Sequence, residues 1–417
     1  MAELVPIEEA QNQILESVGV MPIETIVLED ALGRTLAADC VSDIDIAPFD
    51  NSAMDGFAFK AADVAHASEA APVQLEIVAY VPAGAFFEDE VQSGQCVRIM
   101  TGAAMPAGAD TVEMIEKVSF TGEGQVGDAL VLDHGVDLGK NVRYKGEEAK
   151  AGSLVLPTGT TLDPAALGLL ASTGNVELQV YAKPVVGIIS LGTELVEAHE
   201  VPGPGQIRNS NRFALIGCAQ RAGAQVKTYA IQPDDYDAIK ATLAQAVAEC
   251  DFVVSSGGAG GGDYDFITDI AAELGKVFYK YVNMRPGKAQ TFAMIEGTPF
   301  LGLAGNPAAA ICGFEMLVYP ALQKMQGKSK LFHPTQRAIL GAEASKKGSR
   351  WNFQRASLAR NEEGVLIATP YSNQSSALYG TFQQSDCLVV VPGDLNVIPT
   401  GSEVEVVHFD IGTDAVI

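Results

Sequence analysis

The sequence predicts a multidomain α/β protein: a doubly wound, mostly parallel α/β domain, an inserted mainly β domain, an N-terminal α+β domain and a C-terminal β domain. Three observations lead there. Three apolar runs in the middle of the chain each break into a glycine-rich loop. They are Val185-Val186-Gly187-Ile188-Ile189-Ser190 before Leu191-Gly192-Thr193-Glu194, Phe252-Val253-Val254 before Ser255-Ser256-Gly257-Gly258-Ala259-Gly260-Gly261-Gly262-Asp263-Tyr264-Asp265, and Phe300-Leu301-Gly302-Leu303 before Ala304-Gly305-Asn306-Pro307. From residue 183 to about 326 such runs alternate with stretches of helical spacing, the pattern of βα units around a parallel sheet. On either side, residues 46–144 and 331–417 hold short runs separated by Gly, Pro and Asp, which read as β structure. Open α/β sheets take ligands beyond the carboxyl ends of their strands. The three loops therefore mark a candidate anion site. Glycine lets backbone N–H groups turn toward an anion, and the two carboxylates of the second loop suit a divalent cation beside it.

In chain order, residues 6–18 place Ile7, Ala10, Ile14 and Leu15 at helical spacing, and residues 30–39 suggest a second short helix. Within 46–144 the clearest strand candidates are 73–81 and 96–100. Asp163 and Pro164 read as the N-cap and first position of a helix through Ala171. The α/β stretch offers helices at 211–222, 236–249, 265–274 and 307–325, and the C-terminal stretch offers strands at 365–369, 387–391 and 404–409. The domains then span 1–45 with 145–182, 46–144, 183–330 and 331–417.

With 47% hydrophobic and 19% charged residues the composition is that of an ordered globular chain. No apolar run approaches the roughly 20 residues of a membrane helix. The opening Met1-Ala2-Glu3-Leu4-Val5-Pro6 has neither segment of a secretion signal, so a cytoplasmic protein with no membrane partner is expected. Six scattered cysteines without a Cys-x-x-Cys pair read as small buried hydrophobes in a reducing compartment, and five dispersed histidines argue against zinc. The 27 basic and 52 acidic residues give a net charge of −25, which argues against nucleic acid as a partner and repels anionic substrates at long range. A site for an anion must therefore gather cations locally.

Several familiar motifs fail on inspection. Gly327-Lys328-Ser329 resembles the end of a phosphate-binding loop, but Leu322 stands where that motif needs glycine. Gly258-Ala259-Gly260 opens like a dinucleotide fingerprint whose last glycine falls on Asp263. No G-x-S-x-G elbow or H-E-x-x-H helix occurs. What survives is Asn283-Met284-Arg285-Pro286-Gly287-Lys288, two cations three residues apart on a proline-stiffened turn, and Asn306, which can cap a helix starting at Pro307 and offer free N–H groups to an anion. Each turn alone is as readily structural. Their place with the Ser256-Gly257-Gly258 loop on consecutive strand ends favours a site. Pro48-Phe49-Asp50-Asn51-Ser52-Ala53-Met54-Asp55-Gly56-Phe57-Ala58 reads as either a solvated loop or a binding loop.

That loop, taken with Arg98-Ile99-Met100-Thr101-Gly102-Ala103-Ala104-Met105-Pro106-Ala107-Gly108-Ala109-Asp110, Lys145-Gly146-Glu147-Glu148, Ser256-Gly257-Gly258, Met284-Arg285-Pro286-Gly287-Lys288 and Gly305-Asn306-Pro307, resembles the molybdopterin molybdenumtransferase family of bacterial MoeA and the gephyrin E domain. The resemblance runs nearly end to end in the family's motif order. It implies a homodimer of elongated, four-domain subunits whose active site lies between one subunit's α/β domain and its partner's N-terminal regions. The implied reaction inserts molybdate into adenylylated molybdopterin with Mg²⁺, releasing AMP and water. Other proteins of molybdenum cofactor biosynthesis are implied as partners.

Carried over by motif, Asp55, Thr101, Glu147 and Glu194 match polar active-site positions, and Asp234 and Asp265 match the carboxylates that hold magnesium. Arg285 and Lys288 match the cations near molybdate. Arg355 and Ser376 match C-terminal positions that reach the cleft, and Ser256, Gly257, Gly258, Gly305, Asn306 and Pro307 form the cofactor-binding loops. The chain departs from the family at Gly258-Ala259-Gly260-Gly261-Gly262, which lacks the serine of G-G-V-S-x-G. It departs again at Ala304-Gly305-Asn306-Pro307-Ala308-Ala309, which lacks a proline and a serine, and at Thr193, where the family has aspartate. The lost hydroxyls leave two alternatives open, a tungstate-using member and a catalytically weakened binding or scaffold paralogue.

Overall fold

Residues 4–258 and 266–408 are described in a computed structural model of the chain. The candidate magnesium ligand Asp265 lies outside the described residues. Contacts divide the chain into two units, one of residues 1–24, 33–37 and 179–417, the other of 25–32 and 38–178. This division is coarser than the four-domain reading.

Helix α1 (Ile7–Ser17) opens the larger unit, and its Ile7, Ala10 and Ile14 share one core with Leu322 and Met325. The smaller unit is built on a six-stranded, mostly antiparallel sheet. Its strands are β1 (Gly56–Phe59), β2 (Val73–Val81), β3 (Gln95–Ile99), β4 (Thr111–Met114), β5 (Ser119–Phe120) and β6 (Ala129–Leu132), in the spatial order β4-β1-β3-β2-β6-β5. Side chains alternate across it. Phe57, Phe59, Leu75 and Ile77 pack into one core, and Ala58, Val81, Val97 and Ile99 into another. Helix α2 (Pro164–Ser172) starts as its sequence requires, with Asp163 accepting a 2.8 Å hydrogen bond from the Ala166 N–H and Pro164 in the first turn.

The expected helix at 30–39 is absent. A 3₁₀ turn occupies only Leu28–Asp30, and Gly33 soon after it has a φ of +74° in the left-handed region. Within the larger unit the chain then runs extended, with Leu36 bridging Val180.

The centre of the larger unit is a six-stranded sheet of β7 (Val185–Ser190), β8 (Gln225–Thr228), β9 (Phe252–Ser256), β10 (Gly275–Tyr281), β12 (Ala289–Ile295) and β13 (Thr298–Leu303), separated along the chain by the short strand β11 (Met284–Arg285). The order is β8-β7-β9-β13-β12-β10, with the first four strands parallel and β12 antiparallel to both its neighbours. Alternation sends Val186, Ile188, Phe252, Val254, Leu301 and Leu303 to one face, against α1, α3 (Ser210–Arg221) and the helical run from Pro307. Ile189, Val253 and Phe300 go to the other, against α4 (Tyr236–Glu249) and α5 (Ile267–Leu274). Helices on both faces make the sheet doubly wound, which is why its strands read as unbroken apolar runs.

The expected single helix at 307–325 is three segments: α6 (Pro307–Gly313), a π turn at Phe314–Val318, and α7 (Tyr319–Met325). Pro320 is the cause. It has no N–H for the carbonyl of Met316 four residues back, so the ladder widens there. Gln11 of α1 fills the gap, its Nε2 donating to the Met316 carbonyl at 2.9 Å.

The C-terminal strands β14 (Thr335–Leu340), β15 (Trp351–Arg360), β16 (Leu366–Pro370), β17 (Cys387–Val391) and β18 (Glu403–His408) follow the order β15-β16-β14-β18-β17, and β17 pairs back onto β15. Closure leaves these five strands without a free edge. The short β11 joins β15 from outside the ring, pairing Met284 with Trp351 and Arg285 with Asn352 in parallel. All six cysteines are buried and none is paired.

Candidate active site

The three glycine loops leave adjacent strands. Register places Ser190 beside Ser256 and Ser256 beside Leu303, so β7, β9 and β13 end level with one another. Beyond these ends opens a cleft of about 1140 Å³, lying wholly within the larger unit. Of the sequence candidates, Glu194, Asp234, Gly257, Gly258, Arg285, Lys288, Gly305, Asn306 and Ser376 line it. The site therefore gathers cations and carboxylates among loop backbone.

The loop geometry follows from glycine at one position above all. Gly257 has φ of +94°, and a Cβ there would sit 2.3 Å from the Leu191 carbonyl oxygen. Any side chain would push the first and second loops apart. The Gly257 N–H itself donates to the Leu303 carbonyl at 3.1 Å. Among the described residues the N–H groups of Gly258, Gly305 and Asn306 form no hydrogen bond. The helix start after Asn306 differs from expectation. Its side chain makes no cap bond, Pro307 has no N–H, and the Ala308 N–H donates to the Ser376 carbonyl at 2.8 Å while Ala309 and Ala310 donate to the Asn306 carbonyl. The first turn of α6 is thus already satisfied, and donors to an anion come from the loop before it.

Asp234 meets Thr193 across the cleft mouth. The Thr193 N–H and hydroxyl both donate to its Oδ2, at 3.2 and 2.9 Å, while Oδ1 accepts nothing among the described residues. Threonine in place of aspartate here supplies a donor where a carboxylate would repel. An exposed carboxylate with one oxygen unengaged, in the cleft that Glu194 also lines, fits a magnesium ion. That ion needs only one or two protein carboxylates when phosphate oxygens and waters complete its shell.

The cationic turn is fixed from beneath. Met284 is fully buried, and Gln290 Nε2 donates to the Gly287 carbonyl at 3.1 Å, leaving Arg285 and Lys288 exposed on the cleft. The Lys288 ammonium lies 5.0 Å from the centroid of the Tyr281 ring.

Three candidates sit behind the wall. Ser256 is buried, its hydroxyl accepting from Asn211 at 2.6 Å. Pro307 occupies the first turn of α6. Arg355, expected to reach the cleft, is 2% exposed, and its guanidinium donates to Gln374 Oε1 and to the Ser375 and Leu378 carbonyls at 3.0–3.3 Å. It holds the 374–378 segment whose Gln374, Ser375 and Ser376 form the cleft wall.

Asp55, Thr101 and Glu147 belong to the smaller unit. Asp55 Oδ1 accepts from both the N–H and the hydroxyl of Thr101, each at 2.7 Å. These bonds, the N–H first, hold its pKa below the usual carboxylate value. Glu147 is exposed and accepts from the Tyr144 N–H at 3.3 Å.

Two residues of the site escaped the sequence reading. Arg350 lines the cleft as a third cation, and its only signal was the basic run from Lys346 to Arg350. Asn211, at the start of α3, donates through Nδ2 to Ser256 Oγ and, at 2.8 Å, to the Gly305 carbonyl, and its Oδ1 accepts from the Tyr379 hydroxyl. One amide thus ties the second and third loops to the C-terminal segment. The cluster Asn209-Ser210-Asn211 signalled a helix start and nothing more.

Comparison with known proteins agrees with this architecture. Residues 5–174 match the family model of the MoeA N-terminal region (domain I and II), residues 187–324 a probable molybdopterin binding domain, and residues 337–409 the MoeA C-terminal region (domain IV). The chain is 36% identical over 404 residues to the molybdopterin molybdenumtransferase of Bacillus subtilis, covering 96% of this chain and 93% of that one. It is 33% identical over 404 residues to the enzyme of the same name from Staphylococcus aureus strain COL, covering 97% and 95%. The crystal structure of the molybdopterin biosynthesis moeA protein from Pyrococcus horikoshii superposes with a TM-score of 0.83 at 30% identity, over 98% of this chain and all of that one.

Proposed function

The chain belongs to the MoeA family of molybdopterin molybdenumtransferases and is a transferase of molybdenum cofactor biosynthesis, and from that premise we propose that its cleft inserts molybdate into adenylylated molybdopterin with Mg²⁺-dependent release of AMP. One observation carries this reading: Arg285, Lys288, Glu194 and Asp234 line a single cleft at the ends of three parallel strands. Molybdate and a phosphoanhydride are both anions, and a chain of net charge −25 must neutralise them locally to bring them together.

Arg285 and Lys288 balance the oxyanion, Arg285 through the paired N–H fork of its guanidinium. The N–H groups of Gly258, Gly305 and Asn306 donate to phosphate oxygens, and Ser376 lines the same cleft. Asp234 would hold magnesium, with Asp265 as the second ligand by its motif. Bound there, the ion would neutralise charge on the phosphoanhydride oxygens as AMP leaves. Arg355 and Asn211 fix the walls without touching substrate.

The reading extends to a cytoplasmic homodimer of four-domain subunits in which Asp55, Thr101 and Glu147 of one copy serve the cleft of the other, with other molybdenum cofactor biosynthesis proteins as partners. Among the described residues no helix is long and apolar enough to cross a membrane.

Purified protein incubated with adenylylated molybdopterin, Mg²⁺ and either molybdate or tungstate should release AMP only when an oxyanion is present. Release with neither oxyanion would show hydrolysis uncoupled from metal insertion and overturn the reading, and none under any condition would leave a binding or scaffold role instead. Arg285→Ala should raise the molybdate concentration giving half-maximal AMP release by about tenfold or more while nucleotide affinity changes little, as expected for loss of a charge-assisted contact. Unchanged molybdate dependence would count against the assignment.

A further inference from the structure

We propose that Tyr379 is a positioning residue of the nucleotide site, acting through Asn211 to aim the Asn306 N–H at a phosphate and to strengthen it as a donor. The inference rests on the transferase reading and deepens it with a residue that none of the site motifs contains and that does not line the cleft.

The bonds run in one direction. The Gly305 carbonyl can only accept, so the Asn211 amide must turn its nitrogen toward it, and Nδ2 donates there at 2.8 Å. The other proton of that nitrogen goes to Ser256 Oγ at 2.6 Å. The amide oxygen is left facing Tyr379, whose hydroxyl donates to it. Burial raises the Tyr379 pKa above the ordinary phenol value, so the hydroxyl keeps the proton it donates. The tyrosine is itself held from both sides. Arg355 donates to the Leu378 carbonyl at 3.2 Å, and the Phe382 N–H donates to the Tyr379 carbonyl at 2.8 Å.

The last link is a peptide unit. The Gly305 carbonyl and the Asn306 N–H belong to one planar trans peptide, so they point opposite ways. With the carbonyl held by Asn211, the N–H is turned away from α3. It makes no hydrogen bond among the described residues, and Gly305 and Asn306 both line the cleft. Hydrogen bonds in series polarise one another. Tyr379 draws electron density from the amide oxygen, and the amide N–H draws it from the Gly305 carbonyl. The Asn306 N–H at the end of the series becomes a better donor to an anion. Arg285 and Lys288 stand outside this series, and their pull on an anion owes nothing to Asn211.

The AMP-release assay, with calorimetric titration of AMP in Mg²⁺, tests this on wild type, Tyr379→Phe, Asn211→Ala and the double variant. Tyr379→Phe removes one oxygen and keeps the ring. It is expected to weaken AMP binding about fivefold and to raise the half-saturating concentration of adenylylated molybdopterin by a similar factor. The half-saturating concentration of molybdate should stay within about twofold, since no link of the series reaches the cationic turn. In the Asn211→Ala background the same change should shift AMP affinity by less than about twofold, because the hydroxyl then has no amide to act through. Wild-type AMP affinity in Tyr379→Phe, or an undiminished loss in the Asn211→Ala background, would overturn the relay and leave the transferase reading standing. Equal losses for molybdate and nucleotide would overturn it too, since Tyr379 would then support the wall as a whole. A wild type that neither binds AMP nor releases it would overturn the transferase reading and the relay with it.

Discussion

Asn211 spends one amide on three partners from three segments of chain, so its removal should cost more than a surface asparagine. Asn211→Ala leaves the Gly305 carbonyl and the Tyr379 hydroxyl without their partner in a half-buried place. The expected destabilisation is about 2 kcal/mol in chemical denaturation, with a matching loss of AMP affinity because the second and third loops separate. Unchanged stability would show that the amide is incidental. Gly257→Ala meets both a left-handed φ and the Leu191 carbonyl and should cost still more. At this scale the sequence exposed residues whose neighbours along the chain announce them. Arg285, Lys288 and Glu194 stand in or near glycine turns, whereas Asp234 came only from the family motif. Arg350 and Asn211 stayed hidden because their place in the site is set by segments far apart in the chain. Arg355 was legible as important, but a side chain's direction into a wall or through it is decided by packing.

Elements were legible where a period is strict and illegible where tertiary contact overrides it. The three central strands show as apolar runs because both faces are covered by helices, and α2 shows because Asp163 and Pro164 announce it. Gly33 and the Leu36 bridge cancelled a helix that local pattern favoured. The π turn was hidden because its stabiliser, Gln11, lies some three hundred residues away from Met316. That pairing can be tested by a double-mutant cycle. Gln11→Ala strands the Met316 carbonyl and should cost about 1–2 kcal/mol in denaturant unfolding. In a Pro320→Ala background, where residue 320 regains an N–H, the same change should cost much less. Equal costs in both backgrounds would detach the π turn from proline.

Another element-scale test concerns β4, where the buried Glu113 accepts from Lys140 at 2.6 Å and meets His134 Nε2 at 3.3 Å. The hydrogen bond to Asp133, and more weakly Glu113, raises the His134 pKa against an opposing effect of burial. A raised folded value means the stabilisation is complete below the unfolded pKa of about 6.5 and fades as pH rises through the folded one. The thermal midpoint of wild type should fall over that window, and His134→Gln should remove that part of the fall. An identical slope in the variant would refute the assignment.

Over the whole molecule, a net charge of −25 and a cleft lined by Arg285, Lys288 and Arg350 act on an anionic substrate at different ranges. The global field reaches roughly 30 Å at ~0.01 M salt but only about 8 Å at ~0.15 M, whereas the contacts of Arg285, Lys288 and Arg350 act within a few ångströms and are screened far less. Approach is governed by the first and residence by the second. The association rate constant of a fluorescent AMP analogue, followed by stopped flow at fixed Mg²⁺, should therefore rise as salt is raised across that range. For an enzyme with a basic surface it would fall. Arg285→Gln should leave that rise in place and the dissociation rate of the AMP analogue nearly unchanged, because it changes the total charge by a small fraction and removes a contact to the oxyanion, not to the nucleotide. If association instead slows with salt in the wild type, the cleft's own field already extends beyond its mouth. The cations would then steer the substrate as well as hold it.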